Sequence, residues 1–348
     1  MPHGPHRHED IASQAGVSVA TVDRVVHGRP GASARAVRAV ERAVLELDRQ
    51  LTQVRLGVRS LVLDLVMQAP KRFSEAVSEA LEAELPGLHP ATVRARFHLR
   101  ESGSVEDLLR VLDRIGTRGQ VSDGVLLKAP DDPAIGAAVD RLAARGIPVV
   151  TFVTDVRESA RVAYLGPDNA GAGATAAYLV RQWLGAEPGA CLVTLSRSAF
   201  YGERERLDGF CEALARTDPD RDVVVLADAD GLDLGMSGLV RELLAGRRDI
   251  AAVYSAGGGN RAIAAELAAA GVLPRLHLGH DLDADNVGLL RDGTLHAVLH
   301  HDLRADLGRA SRQLLRAHNL LPGAPTSFAA PVQVVTPHNL PPRLGPST

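Results

Sequence analysis

The chain has 348 residues, of which 45% are apolar and 3% aromatic, and its formal net charge is −3. This length accommodates one small domain and one or two of ordinary size. No apolar run approaches the ~20 residues of a membrane-spanning helix, and the first residues, MPHGPHRHED, lack the apolar region of a secretory signal. We therefore expect a cytoplasmic protein rather than a membrane-spanning or secreted one.

The cysteines and histidines of the chain give no indication of a disulfide or a metal site. Cys191 and Cys211 fit neither a disulfide framework nor a metal motif, and we expect buried free thiols. His3, His6 and His8 have metal-like spacing but stand in a terminal tail, residues 1–8, that we expect to be disordered. The sequence predicts no metal site and no cofactor.

Charge is divided unevenly along the chain. Residues 1–59 carry nine arginines and six acidic residues, a net +3, which leaves −6 for the remainder. A basic head on an acidic body suits a DNA-binding region joined to a part that does not touch DNA.

The segment 10–28, DIASQAGVSVATVDRVVHG, predicts two short helices joined by a tight turn. Gly16 supplies the positive φ of that turn, and Ser18 is placed to cap the second helix by accepting a hydrogen bond from the Thr21 N–H. Apolar residues recur at helical spacing on both sides: Ile11, Ala12 and Ala15, then Val22, Val25 and Val26. A third helix, capped by Ser33, follows with an apolar face of Val37, Val40, Val44, Leu45 and Leu47. This order predicts a helix-turn-helix domain over residues 9–48.

The remaining side chains of the second helix suit DNA contacts better than burial in a helical hairpin, which is the alternative. Arg24 can donate two hydrogen bonds to a guanine edge, whereas Val19 and Ala20 can offer only apolar contact, for example to a thymine methyl. Ser18 and Thr21 suit phosphate contacts, which position the helix without reading sequence. The predicted DNA-binding residues are Ser18, Val19, Ala20, Thr21, Arg24 and His27.

The pattern AxxAGVSxxTVxRVxxG at residues 12–28 resembles the DNA-reading signature of the LacI family of bacterial regulators. Asp23 stands where that family usually has Ser, and His27 where it has Asn. A phosphate would repel Asp23, so we expect its side chain to turn away, toward Arg24 or Arg35. The TVDRV form resembles a subgroup whose sensor domain is similar to sugar-binding periplasmic receptors. The resemblance implies a repressor that acts as a homodimer on a pseudo-palindromic operator.

Residues 49–59 predict a linker. The LacI family usually has a Pro-Asn step here and a hinge helix whose leucines enter the minor groove. The segment DRQLTQVRLGVRS lacks that step, is shorter, and leaves Leu56 as the obvious wedge candidate. We expect a shortened or absent hinge helix.

From residue 60 the pattern changes to alternating strands and helices. The predicted strands are LVLDLVM, TVRARFHLR, GVLLKA, PVVTFV, ACLVTLS, VVVLAD, IAAVYSA, LHLGHD and LHAVLHH, with a short last strand at 331–336. The predicted helices are 73–85, 105–115, 132–145, 170–184, 202–216, 235–245, 260–270, 284–291 and 303–318. This alternation is typical of doubly wound parallel sheets, and the number of strands indicates two α/β lobes. Their carboxyl edges would face a shared ligand cleft.

Several segments are similar to a type I periplasmic-binding-protein sensor: GVLLKAPDDPAI, LAARGIPVVTFVTD, VAYLGPDNAGAG, ERERLDGF, YSAGGGN and GHD. The resemblance implies two Rossmann-like lobes joined by three crossovers, which we place near 162–166, 292–295 and 323–327. The sensor would then span 60–348. Its first lobe would comprise about 60–163 and 294–325, and its second about 164–293 and 326–348.

Polar groups at the predicted strand ends form a candidate ligand site. A sugar or polyol needs paired donors and acceptors, which carboxylates and an arginine provide. The resemblance places Arg204 and Asp281 on the family's ligand-binding arginine and aspartate. The alternatives are a pair between Arg204 and Asp208, and helix-capping roles for Asp281 and Asn169. The predicted ligand-binding residues are Phe73, Asp155, Asn169, Phe200, Arg204, Ser255, Asp281 and His301.

The ligand class stays open at this point, because His300 and His301 could also pair with a carboxylated or phosphorylated ligand. An enzyme is disfavoured. The glycine-rich segments GAGAT and AGGGNRA lack GxGxxG spacing, and no GxSxG elbow supports a triad of Ser196, His280 and Asp281. The sequence thus predicts a DNA-binding transcriptional regulator that responds to a small polar metabolite, a sugar or polyol. The alternative is a solute-binding or sensor protein of the periplasmic type without DNA function.

Overall fold

The computed structural model describes residues 6–55, 59–117, 119–230 and 232–341. The chain divides into two compact units. The smaller comprises Met1–Ser60 with Pro90–Thr92, and the larger comprises Leu61–His89 with Val93–Thr348. No helix in these described ranges combines the length and apolar character needed to cross a bilayer.

The smaller unit contains three helices in its described residues: α1 (His8–Ala15), α2 (Val19–Val26) and α3 (Ala34–Arg55). Gly16 has φ 64°, as the turn requires. The Ser18 hydroxyl accepts a hydrogen bond from the Thr21 N–H at 3.2 Å. The Gly turn and the helix cap predicted from the sequence are both confirmed.

A small apolar cluster holds these helices together. Its buried members are Ile11, Ala12, Val22, Val40 and Ala43, with Ala15, Val17, Val25, Val26, Val44 and Leu47 packed against them. Val37 is half-buried and lies outside this cluster. Leu56 and the Leu45 side chain lie outside what the structure describes. Helix α3 continues to Arg55, through most of the predicted linker 49–59. That the hinge helix is shortened or absent stays a prediction.

The larger unit contains two six-stranded sheets in the described part of the chain. The first sheet has the order β11-β5-β4-β3-β1-β2. Its strands are β1 (Ser60–Gln68), β2 (Thr92–Arg100), β3 (Gly124–Lys128), β4 (Val149–Phe152), β5 (Ala163–Pro167) and β11 (Phe328–Ala330). The second has the order β12-β10-β9-β8-β6-β7. Its strands are β6 (Ala190–Thr194), β7 (Val223–Leu226), β8 (Ile250–Ser255), β9 (Leu276–His280), β10 (Ala297–His300) and β12 (Gln333–Val335).

Helices cover both faces of each sheet, as the doubly wound prediction required. They are α4 (Lys71–Glu84), α5 (Val105–Leu112), α6 (Pro133–Ala144), α7 (Asn169–Leu184), α8 (Tyr201–Thr217), α9 (Asp233–Gly246), α10 (Asn260–Ala269), α11 (Ala284–Arg291) and α12 (Leu303–Ala317), with a short 3-10 helix at Leu85–Gly87. In the second sheet, one apolar cluster joins the strands to α7 and α8, and another joins them to α9 and α10. Cys191 is buried in the first of these clusters, and both cysteines are free thiols.

The lobe boundaries predicted from the sequence are several residues early. Strand β5 belongs to the first sheet and β10 to the second, so the chain crosses after residues 167, 300 and 330. The predicted crossovers at 162–166, 292–295 and 323–327 therefore fall within or before the strands that precede the crossings. The reason is that sheet membership depends on long-range pairing, which a local apolar pattern does not show. Strands β5 and β11 were not predicted for the same reason.

The last strand departs from the all-parallel prediction. Strand β12 pairs antiparallel with β10, Val298 lying opposite Val335, whereas β11 pairs parallel with β5. Because the chain leaves β11 at the carboxyl edge of the first sheet, it enters the second sheet from the edge that faces the first. It must then run against the other strands.

The close packing of α7 on α8 gives a test of this fold. A Cβ atom at Gly173 would lie 2.0 Å from the Arg206 carbonyl oxygen and 2.7 Å from the Phe210 nitrogen. We expect Gly173→Ala to lower the free energy of unfolding of the larger unit by about 1–3 kcal/mol, because the helices must separate. Urea unfolding followed by the fluorescence of Trp183, the single tryptophan, measures this.

The matched control is Gly238→Ala in α9, where an added Cβ would meet no atom within 4 Å. Alanine there is expected to leave stability unchanged or to raise it by up to about 1 kcal/mol. Equal stabilities of the two variants would contradict the packing described for α7 and α8.

Candidate functional site

A cavity in the larger unit lies where the carboxyl ends of the two sheets face each other. The end of β3 contributes Lys128, and the residues after β4 contribute Val153 and Thr154. The second sheet contributes Ser196 after β6 and Asp281 after β9. The cavity volume is about 70 Å³.

Helix α8 presents two charged side chains to this cavity. Glu203 and Arg206 are three residues apart and so share a helical face, and both line the cavity. Arg206 is buried, and its guanidinium donates to the Asn169 Oδ1 and to the Ala256 carbonyl, both at 2.8 Å. The Glu203 carboxylate accepts from the Ser196 N–H at 2.6 Å and the Ser196 hydroxyl at 2.5 Å. Burial raises the pKa of Glu203, although Ser196, Lys128 and Arg206 oppose the rise.

Asp281 is held in a strained backbone conformation at the cavity wall. Its φ is 63°, in the left-handed region that non-glycine residues rarely adopt. The Asn286 amide donates to the carbonyls of His280 and Asp281, both at 2.8 Å, and so stabilises the bend. Val153 occupies the equivalent place after β4 in the first sheet and has φ 65°. The fold thus directs one strained residue from each sheet to the cavity.

His301 lies behind Asp281 and is fully buried. Its Nε2 is 3.4 Å from the Asp281 Oδ1, and its Nδ1 is 2.7 Å from the Asp306 Oδ2. Burial alone would lower the pKa of His301, but the two carboxylates raise it to about 9. Burial would likewise raise the pKa of Asp281, yet His301 and Arg206 hold it well below its usual range. Asp281 is therefore an ionised acceptor backed by an imidazolium.

Lys128 enters the cavity from the first sheet. Its Nζ donates to the Gln68 carbonyl at 3.2 Å and lies 3.8 Å from the centre of the Phe200 ring. Burial lowers the pKa of Lys128 to about 8, and the charge of Glu203 partly offsets this. Phe73 also lines the cavity, so both predicted aromatic residues are in place.

Direct contacts join the two lobes around the cavity. The Arg72 Nε donates to the Asp283 Oδ2 at 2.8 Å, and the Gly202 N–H donates to the Thr154 hydroxyl at 3.0 Å. A side chain on Gly202 would press on Asn169 and on the Val153 carbonyl, so glycine permits this close approach. The lobes are closed on each other.

Of the eight predicted ligand-binding residues, the structure brings three to the cavity wall: Phe73, Phe200 and Asp281. Arg204 does not line the cavity. Its side chain is 45% exposed and pairs with Asp131 at 3.2 Å rather than with the cavity or with Asp208. Arg206 takes its place, because two residues correspond to about 200° of rotation around a helix.

Four other predicted residues lie next to the cavity but do not line it. Asp155 is buried against Arg161, with both oxygens at 2.5 Å from guanidinium nitrogens. Asn169 positions Arg206, and the Ser255 hydroxyl donates to the Gly258 carbonyl at 3.1 Å in a loop of the wall. His301 acts through Asp281. Their polar atoms are engaged by protein groups, which a strand-end pattern does not reveal.

Sequence reasoning missed Arg72, Lys128, Glu203, Arg206, Asp283 and Asn286, all of which line the cavity. Two signals were available. Lys128 is a charged residue at the end of a buried apolar strand. Arg206 shares a helical face with Gly202, Phe210 and Leu214, all buried, so an arginine there must point inward.

In the smaller unit, the start of α2 presents a separate exposed surface. Ser18, Val19, Ala20, Arg24 and His27 are exposed, and Thr21 is half-buried. Ala20, Arg24 and His27 follow each other at i, i+4 and i+7, so they share one face. Arg24 makes no side-chain hydrogen bond or ion pair with any residue that the structure describes.

Asp23 turns away from this face. Its carboxylate pairs with Arg29 at 2.9 Å and with the His27 Nδ1 at 3.0 Å, not with Arg24, one of the two expected partners. The side chain of Arg35, the other expected partner, lies outside what the structure describes. The turn that ends α2 folds Arg29 back onto the helix, which leaves Arg24 available. The pairing partly neutralises a carboxylate that phosphates would repel.

Two family descriptions match the chain. "Bacterial regulatory proteins, lacI family" matches residues 9–48, and "Periplasmic binding protein domain" matches residues 92–318. The chain is a lacI-family regulator with a periplasmic-binding-protein domain. It combines a DNA-binding helix-turn-helix head with a two-lobed α/β unit, as predicted. No curated protein matches it significantly.

Solved structures similar to this lacI-family regulator cover about four fifths of its chain. The glucose-galactose binding protein GanP from Geobacillus stearothermophilus has a TM-score of 0.72 and 18% identity, over 81% of this chain and 99% of that one. A solute-binding protein from Burkholderia graminis in complex with D-arabinose has 0.71 and 20%, over 80% and 96%. A solute-binding protein from Bacillus halodurans with bound myo-inositol has 0.68 and 17%, over 81% and 96%. At these identities the likeness shows the fold.

The His301 pair predicts a pH-dependent contribution to the stability of the regulator. A raised pKa means that the stabilisation is complete below pH ~6.5, the unperturbed value for histidine, and is lost as pH rises through about 9. His301→Gln should therefore destabilise the larger unit most near pH 6, by an amount on the order of 2 kcal/mol, and progressively less toward pH ~10. Urea unfolding at a series of pH values measures the difference from wild type.

His338→Gln is the control, because that side chain is exposed. Its effect should be small and independent of pH. A destabilisation by His301→Gln that stays constant across the same range would show that the imidazole is not charged between its two carboxylates.

Proposed function

We propose that this regulator is a homodimeric transcriptional repressor whose affinity for a pseudo-palindromic operator is set by a sugar or polyol bound between its two lobes. The observation that carries the proposal is that one chain has both a capped helix with a free arginine and a cavity between two lobes that is lined by charged side chains. The lacI-family head favours this over a solute-binding protein without DNA function. Operator DNA as the partner also implies a cytoplasmic protein.

In the DNA-binding head, we assign sequence reading to Arg24, through two hydrogen bonds to a guanine edge. Val19 and Ala20 would contact bases through apolar groups, and Ser18 and Thr21 would contact phosphates. His27 lies at the far end of the same face. A second copy of the head, related by a twofold axis, would read the other half-site.

In the sensor, the polar cavity supports a hydroxyl-rich ligand. Asp281 offers an ionised acceptor, Arg206 and Lys128 offer donors, and Phe73 and Phe200 offer apolar surface. Similar folds with D-arabinose and myo-inositol bound are consistent with this class. A ligand that binds the closed lobes better than open ones, by about 1–3 kcal/mol, would change operator occupancy ~5–150-fold.

The head assignment is tested by selecting bound duplexes from a random library at low salt. Wild type should enrich an inverted repeat with a guanine in each half, and its affinity should fall steeply with salt. Arg24→Ala should weaken binding by about 1–3 kcal/mol per half-site and relax the choice at that guanine. Arg114→Ala, an exposed arginine of the larger unit, should change neither. If Arg24→Ala keeps the sequence specificity of wild type, Arg24 does not read the operator sequence.

The cavity assignment is tested by two substitutions on one helix. Thermal shifts with D-glucose, D-galactose, D-arabinose and myo-inositol, together with their acid derivatives, identify a binding compound. For that compound, Arg206→Gln should reduce affinity at least ~10-fold, because a charge-assisted hydrogen bond is lost. Arg204→Gln should stay within about twofold, since its side chain pairs outside the cavity. A larger loss of affinity in Arg204→Gln than in Arg206→Gln would show that the ligand binds outside this cavity.

A further inference from the structure

The charged groups of the cavity fall into neutral sets, with one exception. Asp281, His301, Asp306 and Arg309 form a chain of alternating charges, the last pair at 3.0 Å. This chain holds two carboxylates and two cations, so it is neutral.

Arg72 and Asp283 form a second neutral set at the closure of the lobes, 2.8 Å apart. Nearby, Arg197 pairs with Asp230 and donates to the Gly103 carbonyl at 2.9 Å. Neither set leaves a net charge for a ligand.

The exception is the group formed by Lys128, Arg206 and Glu203. Both cations are buried, with 7% and 4% exposure, and both line the cavity. Among the described residues, no carboxylate oxygen lies within 4.0 Å of either one's side-chain nitrogens. The Glu203 carboxylate is occupied by the N–H and hydroxyl of Ser196. Two cations thus face one carboxylate, which leaves a net charge of +1.

The unused donors of this group belong to the same two cations. The Arg206 Nε and one of its terminal nitrogens are engaged, which leaves N–H groups on the other terminal nitrogen. Lys128 donates to a single carbonyl and keeps further N–H groups. A buried charge without a partner is costly, and an oxyanion within hydrogen-bond reach compensates it.

We propose that the effector is a sugar acid or polyol acid with one carboxylate, which binds Lys128 and Arg206 while a hydroxyl group binds Asp281. The inference rests on the proposed function and narrows its ligand class. A single negative charge matches the residual +1, whereas a phosphate dianion would exceed it beside Glu203. The hydroxyls are needed because the free oxygen of Asp281 is an acceptor that a carboxylate cannot satisfy.

The experiment uses the full-length protein and matched neutral and acidic compounds: D-glucose with D-glucuronate, D-galactose with D-galacturonate, and D-glucitol with D-gluconate. D-Glucose 6-phosphate tests the dianion. Affinities come from isothermal titration calorimetry at fixed pH and salt. For at least one pair, the acid should bind about 10- to 100-fold more tightly than its neutral partner.

Two variants locate the carboxylate. Lys128→Met, close in size but neutral, should remove most of the acid's advantage in affinity over its neutral partner. Lys128→Arg, which keeps the charge, should retain at least part of the advantage. Circular dichroism and the unfolding midpoint confirm that both variants fold.

Three outcomes would overturn the inference. If neutral compounds bind as tightly as their acids, the proposed function stands, but the effector does not need a carboxylate. An acid preference unchanged in Lys128→Met would place the anion elsewhere. If no compound in any pair binds, the sugar or polyol ligand of the proposed function is itself wrong, and the inference falls with it.

Discussion

The hydrogen bond between Arg206 and Asn169 organises the sensor site. Asn169 opens helix α7 just after the first crossover, and its Oδ1 accepts from the Arg206 Nε at 2.8 Å. Its Nδ2 donates to the Tyr164 hydroxyl at 3.2 Å and to the Val153 carbonyl at 3.4 Å, both in the first lobe. One amide therefore ties the cavity's arginine to the other lobe.

Burial explains why so many cavity charges are held by other protein groups. A charged side chain removed from water needs a partner, because otherwise the free-energy cost of desolvation exceeds the favourable free energy of packing. Asp155 is held by Arg161, Asp283 by Arg72, and Asp281 by His301. Only a minority of the charged groups near the cavity lacks a partner within the protein, and these groups determine which ligand binds. The chemistry of the site is set by what these pairings leave over, not by the full set of charged side chains.

The sequence predicted features that depend on short-range chemistry. The Gly16 turn, the Ser18 cap and the bounds of most helices follow from residues a few positions apart, and the structure confirms them. Sheet membership of β5 and β10 depends on pairing between distant segments, so the crossovers were placed too early. The choice between Arg204 and Arg206 needed the phase of helix α8, which the buried series Gly202, Arg206, Phe210 and Leu214 could have given. The roles of Asp155 and His301 needed knowledge of their partners, which no local pattern contains.

The positions of the crossovers have a mechanical consequence. The chain passes from the first sheet to the second just before Asn169, and returns just after β10, at His301. Asn169, which orients Arg206, and His301, which lies behind Asp281, are thus located at the crossovers between the two lobes. A rotation of one lobe against the other would turn the backbone next to Asn169 and His301, and these two residues contact Arg206 and Asp281. Lobe rotation and ligand contact are consequently coupled through the same two side chains, Asn169 and His301.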